Sequence, residues 1–148
     1  MCLDLHKSSR DILVAETDIV VYKYLKIRSG GSLITPFQYS PIVIGETYES
    51  KLNVRLYSDL NLDNDELPDD LIVGFVSEGL HSFGEFKVAY KEYGCDKCER
   101  VVVKCIIPKG SQYYIGRFDE DLSYASEKLI YVKKYNRLSA YLKNLFKN

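Results

Sequence analysis

Two stretches of the chain carry the clearest β-type patterning. Residues 18–27 (DIVVYKYLKI) set Tyr22, Tyr24 and Lys26 against Val21, Lys23 and Leu25, with β-branched and aromatic residues in the majority. Residues 100–107 (RVVVKCII) are apolar almost throughout, as expected of a central strand covered on both faces. Shorter runs at 42–44, 71–76, 113–118 and 128–133 predict further strands, and 46–52 continues beyond the turn at Gly45. Turn residues punctuate them: Arg28 to Ser32, the prolines Pro36 and Pro41, and Pro108-Lys109-Gly110.

The pattern changes to a helical period twice. Phe86, Ala89, Tyr90 and Tyr93 fall at i, i+3, i+4 and i+7, and Ser82 with Glu85 fits a capping box. This predicts a helix over about 83–93, stopped by Gly94. Leu138, Tyr141, Leu142 and Leu145 repeat the spacing behind Asn136, predicting a C-terminal helix over about 136–146. Strands outnumber helices and do not alternate with them. The expected fold is α+β: one domain over 1–148, with a mainly antiparallel sheet, one internal helix and one terminal helix. Residues 1–17 read as an irregular arm. Residues 58–70, with six acidic side chains and no basic one, read as a solvated loop.

Composition narrows the function classes. A net charge of -1 gives no global attraction to nucleic acid or to an anionic membrane. No run reaches the roughly 18 apolar residues of a membrane span. The opening residues carry scattered charges without an apolar stretch, so no signal peptide is expected. A cytoplasmic location with reduced thiols follows as the expectation. After Glu127 the chain has six Lys or Arg and no acidic residue. That basic end and the acidic 58–70 segment read as solvated surfaces, or as complementary patches for a protein partner or an oligomer.

Several groups could carry chemistry. Cys95 and Cys98 form a CxxC, which can hold one face of a tetrahedral zinc. A closed site needs two more ligands, and Cys2, His6, His81 and Cys105 are scattered, so no cofactor is implied. Glu78-Gly79-Leu80-His81-Ser82 is the most catalytic-looking cluster. His81 there would be an acid, a base or a donor beside a helix N-terminus, or a structural histidine at a strand-to-helix junction. Lys109 projects from a Pro/Gly turn that lacks the GxxxxGK[ST] phosphate cradle. Tyr113, Tyr124, Ser126 and Glu127 add aromatic surface, a hydroxyl and a carboxylate nearby in sequence. Glu78, His81, Lys109, Tyr113, Tyr124 and Ser126 form the candidate ligand-binding set. His81, Glu127 and Lys109 would be the catalytic set if the protein were an enzyme.

The series VVYKYL, FQY…GETY, EGLHSF, CIIPKGSQYYIG and YASEKLIYV, over about 18–133, resembles a loosely defined group of small bacteriophage and gut-bacterial proteins without an assigned function. That resemblance implies a role in the contest between phage and host, such as sequestering a signal or blocking a host factor. Residues 106–110 followed by Glu127 are also similar to the late strands of ADP-ribosyltransferase folds, with Tyr22-Lys23 where those carry an aromatic-Arg pair. The combined expectation is a cytosolic protein that binds a small, nucleotide-like ligand or a host protein. Its alternatives are a small transferase or hydrolase using His81 and Glu127, and a zinc-stabilised interaction module.

Overall fold

Period-two patterning becomes thirteen strands among the residues that the computed structural model describes, 3–36, 38–58, 64–92 and 100–146. They are β1 (Leu3–His6), β2 (Leu13–Val14), β3 (Ile19–Ile27), β4 (Leu33–Ile34), β5 (Pro41–Ile42), β6 (Thr47–Glu49), β7 (Asn53–Leu56), β8 (Ile72–Glu78), β9 (Leu80–Phe83), β10 (Arg100–Ile107), β11 (Gln112–Phe118), β12 (Asp121–Ser126) and β13 (Lys128–Lys134). Two short helices accompany them, α1 (Phe86–Glu92) and α2 (Arg137–Leu145). Ten strands form one antiparallel path, β6-β13-β10-β3-β9-β12-β11-β1-β8-β7, with β2 added to β11 and the β4-β5 pair added to β3. The protein is therefore mainly β, which corrects the α+β expectation.

Three local readings account for that correction. Residues 80–83, read as the entry to a helix, are strand β9, and Tyr124 pairs with Ser82 across the ladder. The helix starts later, at Phe86, so Ser82 is a buried strand residue and not a cap. Residues 121–126, where no strand was expected, follow Asp119 and Glu120, which both take positive φ in a tight turn, and form β12. The irregular arm is also corrected: β1 lies between β8 and β11, with Leu3 and Leu5 fully buried. Of the acidic segment, 59–63 lie outside the described residues, and 64–70 run through turns.

Connectivity curls the sheet. Ten strands laid flat at a spacing of ~4.8 Å would hold the end strands roughly 43 Å apart. Yet β6 and β7, the two ends, are joined by residues 50–52 alone, a tether that spans at most about 15 Å. The sheet must roll up. A second fold-back comes at Gly79, the only residue between β8 and β9. The first of these strands pairs with β1 and β7, the second with β12 and β3. The run 72–83 thus belongs to two rings. One closes through β12, β11 and β1; the other closes through β3, β10, β13 and the continuous chain of β6 and β7.

Each ring has its own core. Leu3, Leu5, Val76 and Ala125 pack along the first. Val21, Leu25, Val101, Val103, Cys105, Ile107, Leu129 and Tyr131 pack inside the second. The opposite face of β3 and β10 presents Tyr24 and Val102, which pack with Phe83, Tyr135, Phe86 and Ala89 of α1, and Ala140 of α2. Asn136 caps α2 by accepting a hydrogen bond from the Ser139 N–H at 2.8 Å.

The first ring is tight enough to dictate a glycine. A Cβ at position 116 of β11 would collide with the Leu3 side chain and the Asp4 carbonyl. One of those neighbours is backbone and cannot step aside. Gly116→Ala is expected to destabilise the fold by about 2–3 kcal/mol, the range for overpacking a closed core. Urea unfolding of the variant beside wild type reads the difference.

Candidate functional site

The alternation of β3 places Val21, Lys23 and Leu25 on the same face of the sheet. Register sets them opposite Cys105, Val103 and Val101 of β10, all fully or nearly fully buried. Lys23 is thus a charged residue in an apolar row inside the second ring, with 8% of its surface exposed. Its side chain lines a cavity of about 230 Å³. The remaining walls come from distant parts of the chain: Thr35, Pro36, Gln38, Ser40 and Ile42 around β4 and β5, Tyr48 to Ser50 at β6, Gly79 to His81 at the bend, and Tyr131 of β13.

Among the described residues, Lys23 has neither an ion-pair nor a hydrogen-bond partner. Glu49 is the only carboxylate on the cavity wall, and it reaches instead toward Lys128, with Oε1 3.7 Å from Nζ at the surface. Burial depresses the Lys23 pKa from its usual 10.5 to about 8, offset in part by the nearby Cys105. Neither of its titratable neighbours can neutralise it. Burial pushes the Cys105 thiol up to about 12 and the Tyr131 phenol higher still, so both stay protonated at neutral pH. The Tyr48 ring meets Tyr131 edge-on at 5.3 Å, and its hydroxyl accepts from the Val43 N–H at 2.7 Å. Thr35 Oγ1 accepts from the Ser40 N–H at 2.9 Å, which shapes the opposite wall. The cavity is therefore hydroxyl-lined, with one ammonium facing it and the Glu49 carboxylate on the same wall, turned toward the surface.

His81 contributes to the same wall but differently. Its ring is wedged edge-on between Phe83 and Phe118, with centroids 4.8 and 5.6 Å away. Both ring nitrogens are shielded from solvent and make no hydrogen bond. Burial, then the charges of Lys23 and the N-terminus, lower its pKa to about 3. The cause is not the helix N-terminus expected beside it but desolvation within strand β9, followed by positive neighbours.

The other sequence candidates do not converge on this cavity. Glu78 is exposed at the end of β8, paired with Asn53 across the ladder. Lys109 is exposed in its turn, and its backbone N–H donates to Asp18 Oδ1 at 2.8 Å. Tyr113 and Tyr124 face each other at 5.9 Å and pack against the second ring's core. Ser126 is buried and donates to the Leu80 carbonyl at 3.4 Å. Glu127 follows the end of β12, where its N–H donates to the Gln112 carbonyl. His81 makes no hydrogen bond to Glu127 or Lys109. Cys95 and Cys98 lie outside the described residues. Among the described residues no group of three His, Cys, Asp or Glu side chains is placed to hold a metal, and no helix is long and apolar enough to cross a membrane.

Lys23 was not among the sequence candidates. Its signal was present in the alternation itself, a lysine between Val21 and Leu25 on the face that those two residues mark as buried. Compared with protein-family models, curated proteins and solved structures, the chain matches none.

The enclosed His81 predicts a particular acid sensitivity. Between pH 6.5 and about 3 the unfolded chain takes up a proton at this position that the folded chain does not, so stability falls as pH drops through that window. The full effect is about 5 kcal/mol. His81→Leu removes it. The stability difference between wild type and variant, read by urea unfolding at stepped pH, should shift toward the variant below pH 6.5 and stay constant above it.

Proposed function

We propose that the protein is a binding protein for a small anionic molecule, carrying a carboxylate or phosphate, held in the cavity that Lys23 faces. The observation that carries this reading is the buried Lys23 ammonium without a counter-charge among the described residues. An isolated buried cation is destabilising, and an anionic ligand would supply the missing partner in a low-dielectric site where the attraction is strong. Hydroxyls of the cavity wall would serve the ligand's remaining oxygens. The volume exceeds the roughly 150 Å³ that holds a benzene and falls below the 300 Å³ of drug-sized sites, which favours a compact ligand. A whole nucleotide would have to leave part of itself outside.

Replacing Lys23 by Met separates the two sides of this reading. Below pH 8 the folded and unfolded chains both carry the charge, and the folded chain bears the whole desolvation penalty of about 3 kcal/mol. Between pH 8 and 10.5 the folded amine is neutral while the unfolded one is still charged, so the penalty fades as pH rises. Lys23→Met should therefore be more stable than wild type at pH 7 and lose that advantage by pH 10.5. Inorganic phosphate, acetate, succinate and glycerol phosphate are the probes. At least one should raise the wild-type melting temperature at pH 7, less so above pH 8, and leave Lys23→Met unmoved. Equal stabilisation of the variant, or none in wild type, overturns the reading.

A further inference from the structure

On the opposite face of β3, three aromatic rings meet at near right angles. Tyr22 and Phe86 are 5.5 Å apart with their planes at 88°, and Phe86 and Tyr135 are 5.2 Å apart at 77°. Each of these contacts sets the edge of one ring against the face of the other. A cation already lies near all three. Lys143 Nζ, from the last turn of α2, lies 5.8 Å from the Tyr22 centroid, 5.4 Å from Phe86 and 5.7 Å from Tyr135. All three distances fall within the reach of a cation–π attraction, and the ammonium is nearly equidistant from the three rings.

The helix that delivers this cation is weakly seated. Ala140 is buried against the rings' cluster, but Tyr141, Leu142, Leu145 and Phe146 are 52%, 44%, 53% and 70% exposed. These four side chains leave much of their apolar surface in solvent, and Lys143 adds a contact between α2 and this face. Lifting α2 would uncover a three-walled aromatic site already shaped around a positive charge.

We propose that Tyr22, Phe86 and Tyr135 form a binding site for an organic cation of the quaternary-ammonium or methylated-amine class, with Lys143 as its internal occupant. A trimethylammonium group spreads its charge over methyl groups and sheds water more readily than a primary ammonium, so it competes with Lys143 for the same faces. Occupancy by a ligand would release Lys143, and with it the hold on α2. The site is separate from the Lys23 cavity, on the other side of the same strand, and does not depend on it.

Choline and its neutral isostere 3,3-dimethyl-1-butanol are the probes, read by aromatic-ring NMR on wild type, Lys143→Ala and Lys143→Gln. The expected result is that choline shifts the Tyr22, Phe86 and Tyr135 resonances, with an affinity roughly tenfold higher in the variants than in wild type, as removal of an internal competitor worth one cation–π contact implies. The neutral isostere should leave those rings unmoved. Lys143→Gln keeps most of the side-chain stem should the alanine variant loosen α2. Should neither variant fold, choline in wild type must still displace the Lys143 Hε resonances. An equal response to choline and the isostere, no ring shift in a folded variant, or undisturbed Lys143 resonances in that last case would overturn the proposal.

Discussion

Three residues separate the strands that end the sheet path, and that short tether decides what becomes interior. Because 50–52 cannot stretch across ten flat strands, the sheet has to roll, and the second ring closes around the inward face of β3. Alternation then fixes which side chains are enclosed: Val21, Lys23 and Leu25 go in, and Tyr22 and Tyr24 go out beneath the helices. The Lys23 cavity and the aromatic site of Tyr22 are consequences of the same closure, one on each side of a single strand. The bend at Gly79 matters as much, since a Cβ there would lie 2.8 Å from Leu52 Cδ2 and 3.3 Å from the Ala125 Cβ.

The interior so formed holds a charge that the proposed ligand would neutralise. A methionine would fill the position of Lys23 without desolvating a charge, and the neighbouring thiol and phenol stay protonated and leave the ammonium unpaired. Proteins commonly tolerate such destabilised positions where a ligand completes them. His81 adds a second strained element to the same wall, an imidazole whose nitrogens have no partner and whose charged form is excluded. Under the proposed function the Lys23 charge would attract an anion into the cavity, while His81 stays neutral beside it.

Much of the sheet was legible because its signals are local. β10 runs over 100–107 as its apolar pattern predicts, and β3 follows the alternation of 18–27 to within a residue. The misreadings occurred where long-range pairing overrides local preference. Ser82 and Glu85 look like a capping box, yet Ser82 gains a ladder partner in Tyr124 and becomes strand. Residues 3–6 carry too short a pattern to announce a strand, and become one because β8 and β11 leave a gap between them. The cavity was the least legible part. Its walls come from positions 23, 35, 36, 38, 40, 42, 48–50, 79–81 and 131, and only closure brings these together. The Lys143 contacts were similarly hidden, because the basic end of α2 suits a helix dipole and reads as ordinary helix chemistry until the rings beneath it are seen.

The central claim is that Lys23 is an unpaired, desolvated ammonium awaiting an anion, and its own titration tests this most directly. Selective isotopic labelling of lysine Cε, followed by NMR from pH 6 to 11, reports the Lys23 pKa with and without saturating phosphate or carboxylate. The account predicts a midpoint near 8 in the free protein, moving upward when the anion binds. A midpoint at the usual 10.5 that ignores every anion would contradict it.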